Sequence, residues 1–322
     1  MDTTIKVWLI IAAALVILGA LVFTVIMSIN HWDFYKLSTT SYITGTHSIT
    51  EDFTELSLEV DSAKINFIPS EDELCEVVCF EDENTPHSVT VEDGCLTIRV
   101  NDQRKWYHHI GIFNGTSKIT VTLPRGVYQS LKIDSSTGNI HIPGDFSFQR
   151  IDIAGSTGDV KCSASASESL KIRVSTGNIR VENLSTGTLD LSVSTGHVDA
   201  NSISCSGAVN IKTSTGKTSL KDLSCGSLTS TGSTGDLTLE NVIAEQTISI
   251  KRNTGDVQFI KCDAAQITVT TSTGDVTGTL LSDKVFITKT ATGRVTVPST
   301  TSGGQCKVTT NTGDIKLTIE AE

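Results

Sequence analysis

Apolar and polar side chains alternate along residues 131–322, and the alternation restarts every 19 or 20 residues at a Thr-Gly pair. Seven residues before each glycine the side chain is apolar or cysteine in all ten repeats, and five residues before it the side chain is apolar in eight. Mostly apolar side chains also stand two and four residues after the glycine, with polar residues between them. Offsets of two place alternate side chains on one face of a β-strand. The turn glycines of the ten repeats are Gly138, Gly158, Gly177, Gly196, Gly216, Gly235, Gly255, Gly274, Gly293 and Gly313.

The length of the repeat predicts the architecture. A βαβ unit needs roughly 30 residues or more, and the repeats show no helical periodicity. Strand-only coils of this size bury their apolar faces by stacking in parallel, each coil on its neighbour. The pattern therefore predicts an all-β fold, a parallel β-solenoid (β-helix) of about ten 19–20-residue coils. At about 4.8 Å per coil, residues 131–322 would form a rod on the order of 45–50 Å long.

The residue that follows each turn glycine is Asp or Asn in seven of the ten coils, the exceptions being His197, Lys217 and Arg294. Glycine adopts positive φ at no steric cost, and Asp and Asn form hydrogen bonds to nearby backbone. The alternative is a ladder of carboxylates that binds cations such as calcium. Calcium-binding solenoids use a shorter nonapeptide repeat, and two basic residues interrupt this row. We therefore interpret the row as turn chemistry and predict neither a metal nor a cofactor.

A third short segment follows about seven residues after each glycine, and small side chains two residues further on predict a tight corner. Cys205 and Cys225 occupy that slot on adjacent coils. The coil spacing is compatible with a disulfide between them, but stacked parallel side chains favour buried packing without a bond. None of the eight cysteines belongs to a C-x-x-C motif, so the common zinc-binding and redox motifs are missing.

The amino-terminal region predicts a membrane anchor. Residues 7–29 contain no charge, and 23 residues form a helix of roughly 34 Å, enough to cross a bilayer. Trp8 and Trp32 flank the run, as interfacial aromatic residues do. A cleaved signal sequence is the alternative, but its apolar run would be shorter and end at a small-residue cleavage site. We predict a short tail at 1–6, a transmembrane helix at 7–29 and a linker at 30–44. The charge of Lys6 favours a cytoplasmic tail and an extracytoplasmic domain.

Residues 45–130 alternate as strands do but carry no Thr-Gly signature, and we expect irregular early coils that cap the regular repeats at 131–322. A basic, aromatic stretch interrupts them, and we expect it to be a loop that either packs locally or takes part in recognition. Adjacent histidines in it point to opposite faces of a strand, which is poor geometry for a metal. The residues of this candidate recognition loop are Arg104, Lys105, Trp106, Tyr107, His108 and His109.

The charge distribution limits the partners. Residues 30–130 carry 16 acidic and 7 basic side chains, whereas residues 131–322 carry 19 and 17. The excess of acidic over basic side chains is concentrated in Glu71–Glu83 (EDELCEVVCFEDE), which we expect to be mostly solvated turn and edge residues. An acidic exterior argues against nucleic acid as a partner, because nucleic-acid binding needs a basic surface.

The chain also has no G-x-S-x-G, H-E-x-x-H, P-loop or Rossmann motif, and no coil concentrates an acid–base set, so we predict that it is not an enzyme.

The segments Lys118–Gly126 (KITVTLPRG) and Leu131–Ile142 (LKIDSSTGNIHI), followed by the repeated Ser-Thr-Gly-Asp pattern, resemble a bacterial family of β-strand-repeat proteins, a domain of unknown function described as a "putative adhesin". The resemblance covers roughly residues 45–320. Members include Lia-type cell-envelope proteins, so the resemblance implies a role at the cell envelope. It brings no catalytic residues, and a shared fold alone does not define a function.

These observations predict a single-pass envelope protein that presents a rigid, non-catalytic, adhesin-like binding surface. Residues 7–29 would contact the membrane, and the partner would be an envelope protein, a wall polymer or a peptide attracted to the acidic segment. The main alternative is a structural rod that self-associates through the C-terminal edge, because Asp314–Glu322 ends in a strand without a cap. A polysaccharide-active enzyme and an ice-binding solenoid are weaker alternatives.

Overall fold

The computed structural model describes residues 3–33, 41–101 and 117–320. One helix, α1, runs from Thr3 to Ile29 and is long and apolar enough to cross a membrane. It begins four residues before the predicted span, since Thr3–Lys6 continue the same helix. Everything else that the structure describes is strand, turn, bend or irregular chain. The predicted all-β solenoid with one preceding apolar helix is therefore confirmed.

All strands belong to one sheet that winds around the solenoid. The first six are β1 (Tyr42–Ile49), β2 (Glu55–Pro69), β3 (Cys75–Asp82), β4 (His87–Glu92), β5 (Cys95–Val100) and β6 (Ser117–Leu123). The remaining strands are β7 (Val127–Thr137), β8 (Ile140–Ile142), β9 (Ser147–Thr157), β10 (Val160–Cys162), β11 (Ser165–Thr176), β12 (Ile179–Thr195), β13 (Val198–Cys205), β14 (Ala208–Thr215), β15 (Thr218–Thr234), β16 (Leu237–Thr254), β17 (Val257–Thr273), β18 (Val276–Leu280), β19 (Lys284–Thr292), β20 (Val295–Thr296), β21 (Gly304–Thr312) and β22 (Ile315–Ile319).

Equivalent slots of neighbouring coils lie side by side in parallel register. Leu189 pairs with Val209, and Thr195 pairs with Thr215, each partner being one repeat further along the chain. The apolar slots on both sides of the glycine point inward, so that Leu170, Ile172 and Ile179 are fully buried. One continuous hydrophobic core therefore runs along the stack, as the alternation predicted.

A second corner separates the strand after the glycine from the third short segment, as the repeat predicted, but the sequence did not predict its backbone conformation. Six residues after the turn glycine, five successive coils place a non-glycine residue in the left-handed region, with φ between +50° and +56°. These residues are Asn183, Ser202, Asp222, Asn241 and Lys261. Asn and Asp tolerate this conformation better than other side chains do. Strands such as β12 continue through this corner, so the coil is less segmented than predicted.

The predicted third corner is present, with small side chains buried inside it. Cys205 and Cys225 are 4% and 2% exposed, and both thiols are free. They fill the corner as apolar packing, in agreement with the preferred interpretation. Register shifts occur at the same corner, for example between Cys225 and Ser227.

The order of the coils in the stack differs from their order in the chain at both ends. β5 and β6 form one coil, and β7 and β8 form another. β2 lies between these two coils, because Leu56 pairs with both Leu96 and Leu131. At the other end β21 lies between β17 and β19, because Val308 pairs with both Val269 and Thr288. The first and last coils of the chain are therefore both second from the end of the stack.

This order corrects part of the expectation that the chain ends at an open edge. β22 pairs with β18 along its full length, and β20 covers its other side at Ile315 and Lys316, so Leu317–Ile319 pair with β18 alone. Among the described residues, β19 and β20 form the outermost parallel coil, since β19 pairs with β21 alone. A half-buried ion pair supports the arrangement: Lys284 Nζ is 2.5 Å from Asp263 Oδ1, and the two side chains are 2% and 26% exposed.

The opposite end of the stack carries antiparallel strands, which the expectation of irregular coils did not include. β3 pairs antiparallel with both β1 and β6, and β4 pairs antiparallel with β5. The acidic segment contributes to this cap and is only partly solvated. Glu71, Asp72 and Glu73 are exposed, whereas Glu81 and Asp82 are buried.

Candidate functional site

The Thr-Gly corners form a ladder of backbone contacts along the solenoid. The ten turn glycines have φ between +128° and +152°. An ideal Cβ on any of them would lie 1.8–2.2 Å from a carbonyl oxygen of the neighbouring coil. Real Cβ atoms do not approach backbone oxygen so closely, and φ values in this range belong almost only to glycine. The corners are therefore packed structure and leave no room for a ligand.

The polar residue after the glycine stabilises the next coil of the stack in eight of the ten coils. Its side chain accepts a hydrogen bond from the backbone N–H of the equivalent residue one coil further on, at 2.7–3.1 Å in eight coils. His197 takes part through Nδ1, which accepts from the Lys217 N–H at 3.0 Å. Lys217 and Arg294 offer no acceptor: Lys217 interrupts the row within the stack, and Arg294 belongs to the outermost coil, where no further coil follows. The row is thus turn chemistry, as predicted, although each bond joins two coils.

A shallow groove runs along the face just before the corners, and we call it the serine groove. It has a volume of about 800 Å³ and crosses six neighbouring coils. Small side chains form its floor, with Ala154 and Gly155 at the centre and Ser156, Ser175 and Ser194 along one side. Because neighbouring coils carry Asp134 or Arg173 in the slot of Ala154, the missing side-chain volume at this coil makes the depression.

Charged side chains stand around the serine groove in pairs. Arg99 Nε lies 2.9 Å from Glu59 Oε2, and Arg173 Nη2 lies 2.9 Å from Asp152 Oδ1. These side chains are 40–58% exposed, so their pairing adds little stability and leaves them free to exchange partners. The exposed hydroxyls of Ser156, Ser175 and Ser194 lie beside these pairs, whereas Ser135 Oγ is buried without a hydrogen-bond partner. The groove therefore offers polar groups that a ligand can use.

A second groove lies on the other side of the corner ladder and has a volume of about 500 Å³. Its lining is more basic and contains Lys64, His141, Lys161 and Arg180, with Asp199 opposite them. Lys161 and Arg180 pair with Glu182 and Asp199 at 2.6 Å and 3.6 Å. The two grooves flank the glycine corners, so the surfaces that vary between coils lie on either side of the constant ladder.

Buried polar groups in the core do not form a reactive site. Burial raises the pKa of Cys162, Cys225 and Cys306 to about 12, which keeps these thiols protonated at neutral pH. Burial lowers the pKa of Arg252 to about 10, although Asp236 opposes the shift. The Arg252 side chain donates one hydrogen bond to Ser230 at 3.0 Å, and its Nε and Nη1 atoms have no partner.

A family model matches residues 53–318, which include every coil of the stack. The chain belongs to the Toastrack DUF4097 family. This agrees with the family resemblance of the β-strand repeats, whereas the similarity to Lia-type proteins stays a prediction. No curated protein matches the chain.

Solved structures resemble this Toastrack protein over most of its length. A "putative adhesin" from Parabacteroides distasonis is 11% identical with a TM-score of 0.48, and the match covers 87% of this chain and 98% of that one. A "putative lipid binding protein" from the same organism is 16% identical with a TM-score of 0.47, covering 87% and 98%. A "putative adhesin" from Bacteroides fragilis is 16% identical with a TM-score of 0.39, covering 87% and 97%. Similarity at this level carries no argument about the ligand of this Toastrack chain.

The surface that the sequence predicted for recognition differs from the grooves that the structure of the Toastrack domain shows. The predicted recognition loop, Arg104–His109, lies outside the described residues, so its role stays a prediction. The serine groove was missed, because its members come from six coils and are individually unremarkable serines and alanines. A possible signal was the slot four residues before the glycine, where Ala154 interrupts a row of larger polar side chains.

Proposed function

We propose that this protein is a membrane-anchored, non-catalytic binding module whose serine groove holds an extended polar polymer such as a cell-wall glycan. The observation that carries this proposal is the shape of the groove, which is open along its length and crosses six coils. Five coil spacings amount to about 24 Å. Pockets for small molecules usually enclose most of the ligand surface, whereas an open groove of this length suits a chain.

The chemistry of the groove supports a ligand rich in hydroxyl groups. Exposed serine hydroxyls and the paired charges of Arg99 and Arg173 offer hydrogen bonds at the surface. Both charge signs line the groove, with Glu59 and Asp134 beside the arginines, so a strongly anionic or cationic polymer has no clear advantage. A neutral or weakly charged glycan therefore fits the lining best.

The anchor places this surface outside the cell in the proposed topology. Helix α1 can span a bilayer by length and composition, and Lys6 precedes its uncharged part. The positive-inside rule then orients the short tail toward the cytoplasm. Digestion of intact cells with an external protease tests this: the solenoid should be cut or released, and full protection would reverse the topology.

Binding is tested with the full chain in detergent micelles, by co-sedimentation with isolated wall polysaccharide. Ala154→Trp fills the centre of the groove and should weaken binding at least about tenfold, a loss of about 1.4 kcal/mol. Thr270→Trp is the matched control, because Thr270 is exposed in the same slot of a coil beyond the groove. Equal binding by the two variants and the unaltered protein would refute the groove as the site.

A second candidate function is a self-associating structural rod, and the edge of β19 is the observation that favours it. β19 is paired on one side, and Ile287 on it is 47% exposed. Unpaired parallel edges can pair with a second copy. Light scattering over a range of protein concentrations tests this candidate. After the mass of the micelle is subtracted, a protein mass that stays at that of one chain excludes self-association.

A further inference from the structure

Three buried side chains in the cap offer metal ligands at one point. One Cys79 sulfur, one Glu81 carboxylate oxygen and one ring nitrogen of His87 all lie within 4.8 Å of one another. The residues are 0%, 3% and 7% exposed. Burial of a carboxylate is costly unless it is paired. His87 contacts one oxygen of Glu81 in this cluster, and Cys79 adds a soft metal ligand beside them.

Local structure brings the three residues together. Cys79 and Glu81 are two apart on β3, so their side chains share one face of the strand. A turn at 82–86, in which the Thr85 N–H donates to the Asp82 carbonyl, reverses the chain and returns His87 beside Glu81. Glu81 Oε2 then accepts from the His87 N–H at 2.8 Å and lies 2.5 Å from His87 Nδ1.

The neighbouring strand leaves space beside the cluster. Gly45 on β1 is the direct cross-strand partner of Cys79, and directly opposed residues point to the same face. A Cβ at Gly45 would meet only two heavy atoms within 4 Å, His47 Nε2 at 3.5 Å and Glu81 Oε1 at 3.7 Å. The missing side chain thus opens a gap lined by Glu81 Oε1 and by one atom of a further residue, His47 Nε2. His47 lies outside the group of three, so its ring would have to turn into this gap to complete four ligands.

We propose that Cys79, Glu81, His87 and His47 form a structural zinc site that joins β1, β3 and β4. One sulfur, two imidazole nitrogens and one carboxylate oxygen form a mixed ligand set of the kind that Zn²⁺ takes in tetrahedral sites. With a thiolate, a carboxylate and two neutral imidazoles around Zn²⁺, the formal charge of the site is zero. A neutral cluster is what burial in the cap favours.

The role of the ion would be to close the end of the solenoid. β1 and β4 each meet the stack through antiparallel pairing, and a shared ion would tie both to β3. Binding requires loss of the Cys79 proton to solvent, because the thiolate is the ligand.

Cobalt titration of the full chain in detergent, under reducing conditions, tests the site. Co²⁺ replaces Zn²⁺ and reports tetrahedral geometry by intense visible absorption and a thiolate ligand by near-ultraviolet charge transfer. We expect one Co²⁺ per chain, displaced by one Zn²⁺. Absence of stoichiometric binding by the unaltered protein would overturn the proposal without any variant.

Variants then assign the ligands. Cys79→Ser should abolish the charge-transfer band, and His47→Gln should weaken Co²⁺ binding at least about tenfold. Cys225→Ser is the matched control, since Cys225 is an equally buried thiol in the regular coils, and its spectrum should be unchanged. Circular dichroism checks that each variant keeps its strand signal. A band that persists in Cys79→Ser, or unaltered affinity in His47→Gln, contradicts the proposed ligand set.

Discussion

Replacing one corner glycine by alanine tests whether the glycine ladder holds the stack together. Gly196 lies in the middle of the solenoid with φ of +143°, and its ideal Cβ would be 1.9 Å from the Gly177 carbonyl oxygen. An ordinary Cβ contact needs about 3.4 Å, so Gly196→Ala requires a shift of roughly 1.5 Å between two coils. That is about a third of the spacing between neighbouring strands.

The magnitude follows from two losses. Alanine at this φ costs about 1–3 kcal/mol in backbone strain. A shift of this size also disrupts hydrogen bonds between coils, such as the Gly196 N–H to the Thr215 carbonyl at 3.0 Å. Each is worth about 1 kcal/mol net. We therefore expect Gly196→Ala to lower the free energy of unfolding by about 3–5 kcal/mol.

Urea unfolding followed by circular dichroism measures this change, and hydrogen exchange shows where protection is lost. Gly126→Ala is the matched control, because a Cβ at Gly126 meets nothing within 4 Å and its φ is not positive. Exchange should rise first in the coils on both sides of Gly196, since each coil of a solenoid contacts only its neighbours. A loss below about 1 kcal/mol, or equal losses in both variants, would refute the argument.

Three further predictions test the coil order and the buried groups. A short thiol crosslinker should join Thr270→Cys to Thr309→Cys, because register partners lie one strand spacing apart, and should join Thr270→Cys to Lys289→Cys, two coils apart, far less. Mass spectrometry of the peptides measures both products, and the reverse result would restore the order of the chain. Arg252→Met should raise the free energy of unfolding by about 1 kcal/mol or more, because it removes a buried guanidinium with two unpaired nitrogens. Thermal unfolding measures this change, and a lower free energy of unfolding in the variant would mean that Arg252 has a partner. Alkylation of the native protein should label Cys95 alone, since the other seven cysteines are buried; intact mass should show one adduct before unfolding and eight after it.

The candidate sites were harder to predict than the fold, and for a physical reason. A repeat makes the coil predictable from sequence, because the same type of residue recurs at the same position of every coil. The serine groove depends on a single departure from that pattern at Ala154, and the proposed zinc site depends on the antiparallel pairing of β1 with β3. His47 and Cys79 are 32 residues apart, so nothing in the sequence places them together before that pairing is known.

The sequence by itself determined the coil: its length, its inward apolar slots and the glycine at its first corner. Those features follow from local geometry, since strand alternation and positive φ are properties of a few consecutive residues. Only the tertiary structure decided which coil lies next to which. Coils that carry the same kinds of residue at the same positions present nearly equal surfaces to one another. Val308 therefore pairs with Val269, although the coil that contains β19 lies between them in the chain. The stacking order, the outermost edge at β19 and the antiparallel cap therefore depend on the links between coils and on contacts such as Lys284 with Asp263.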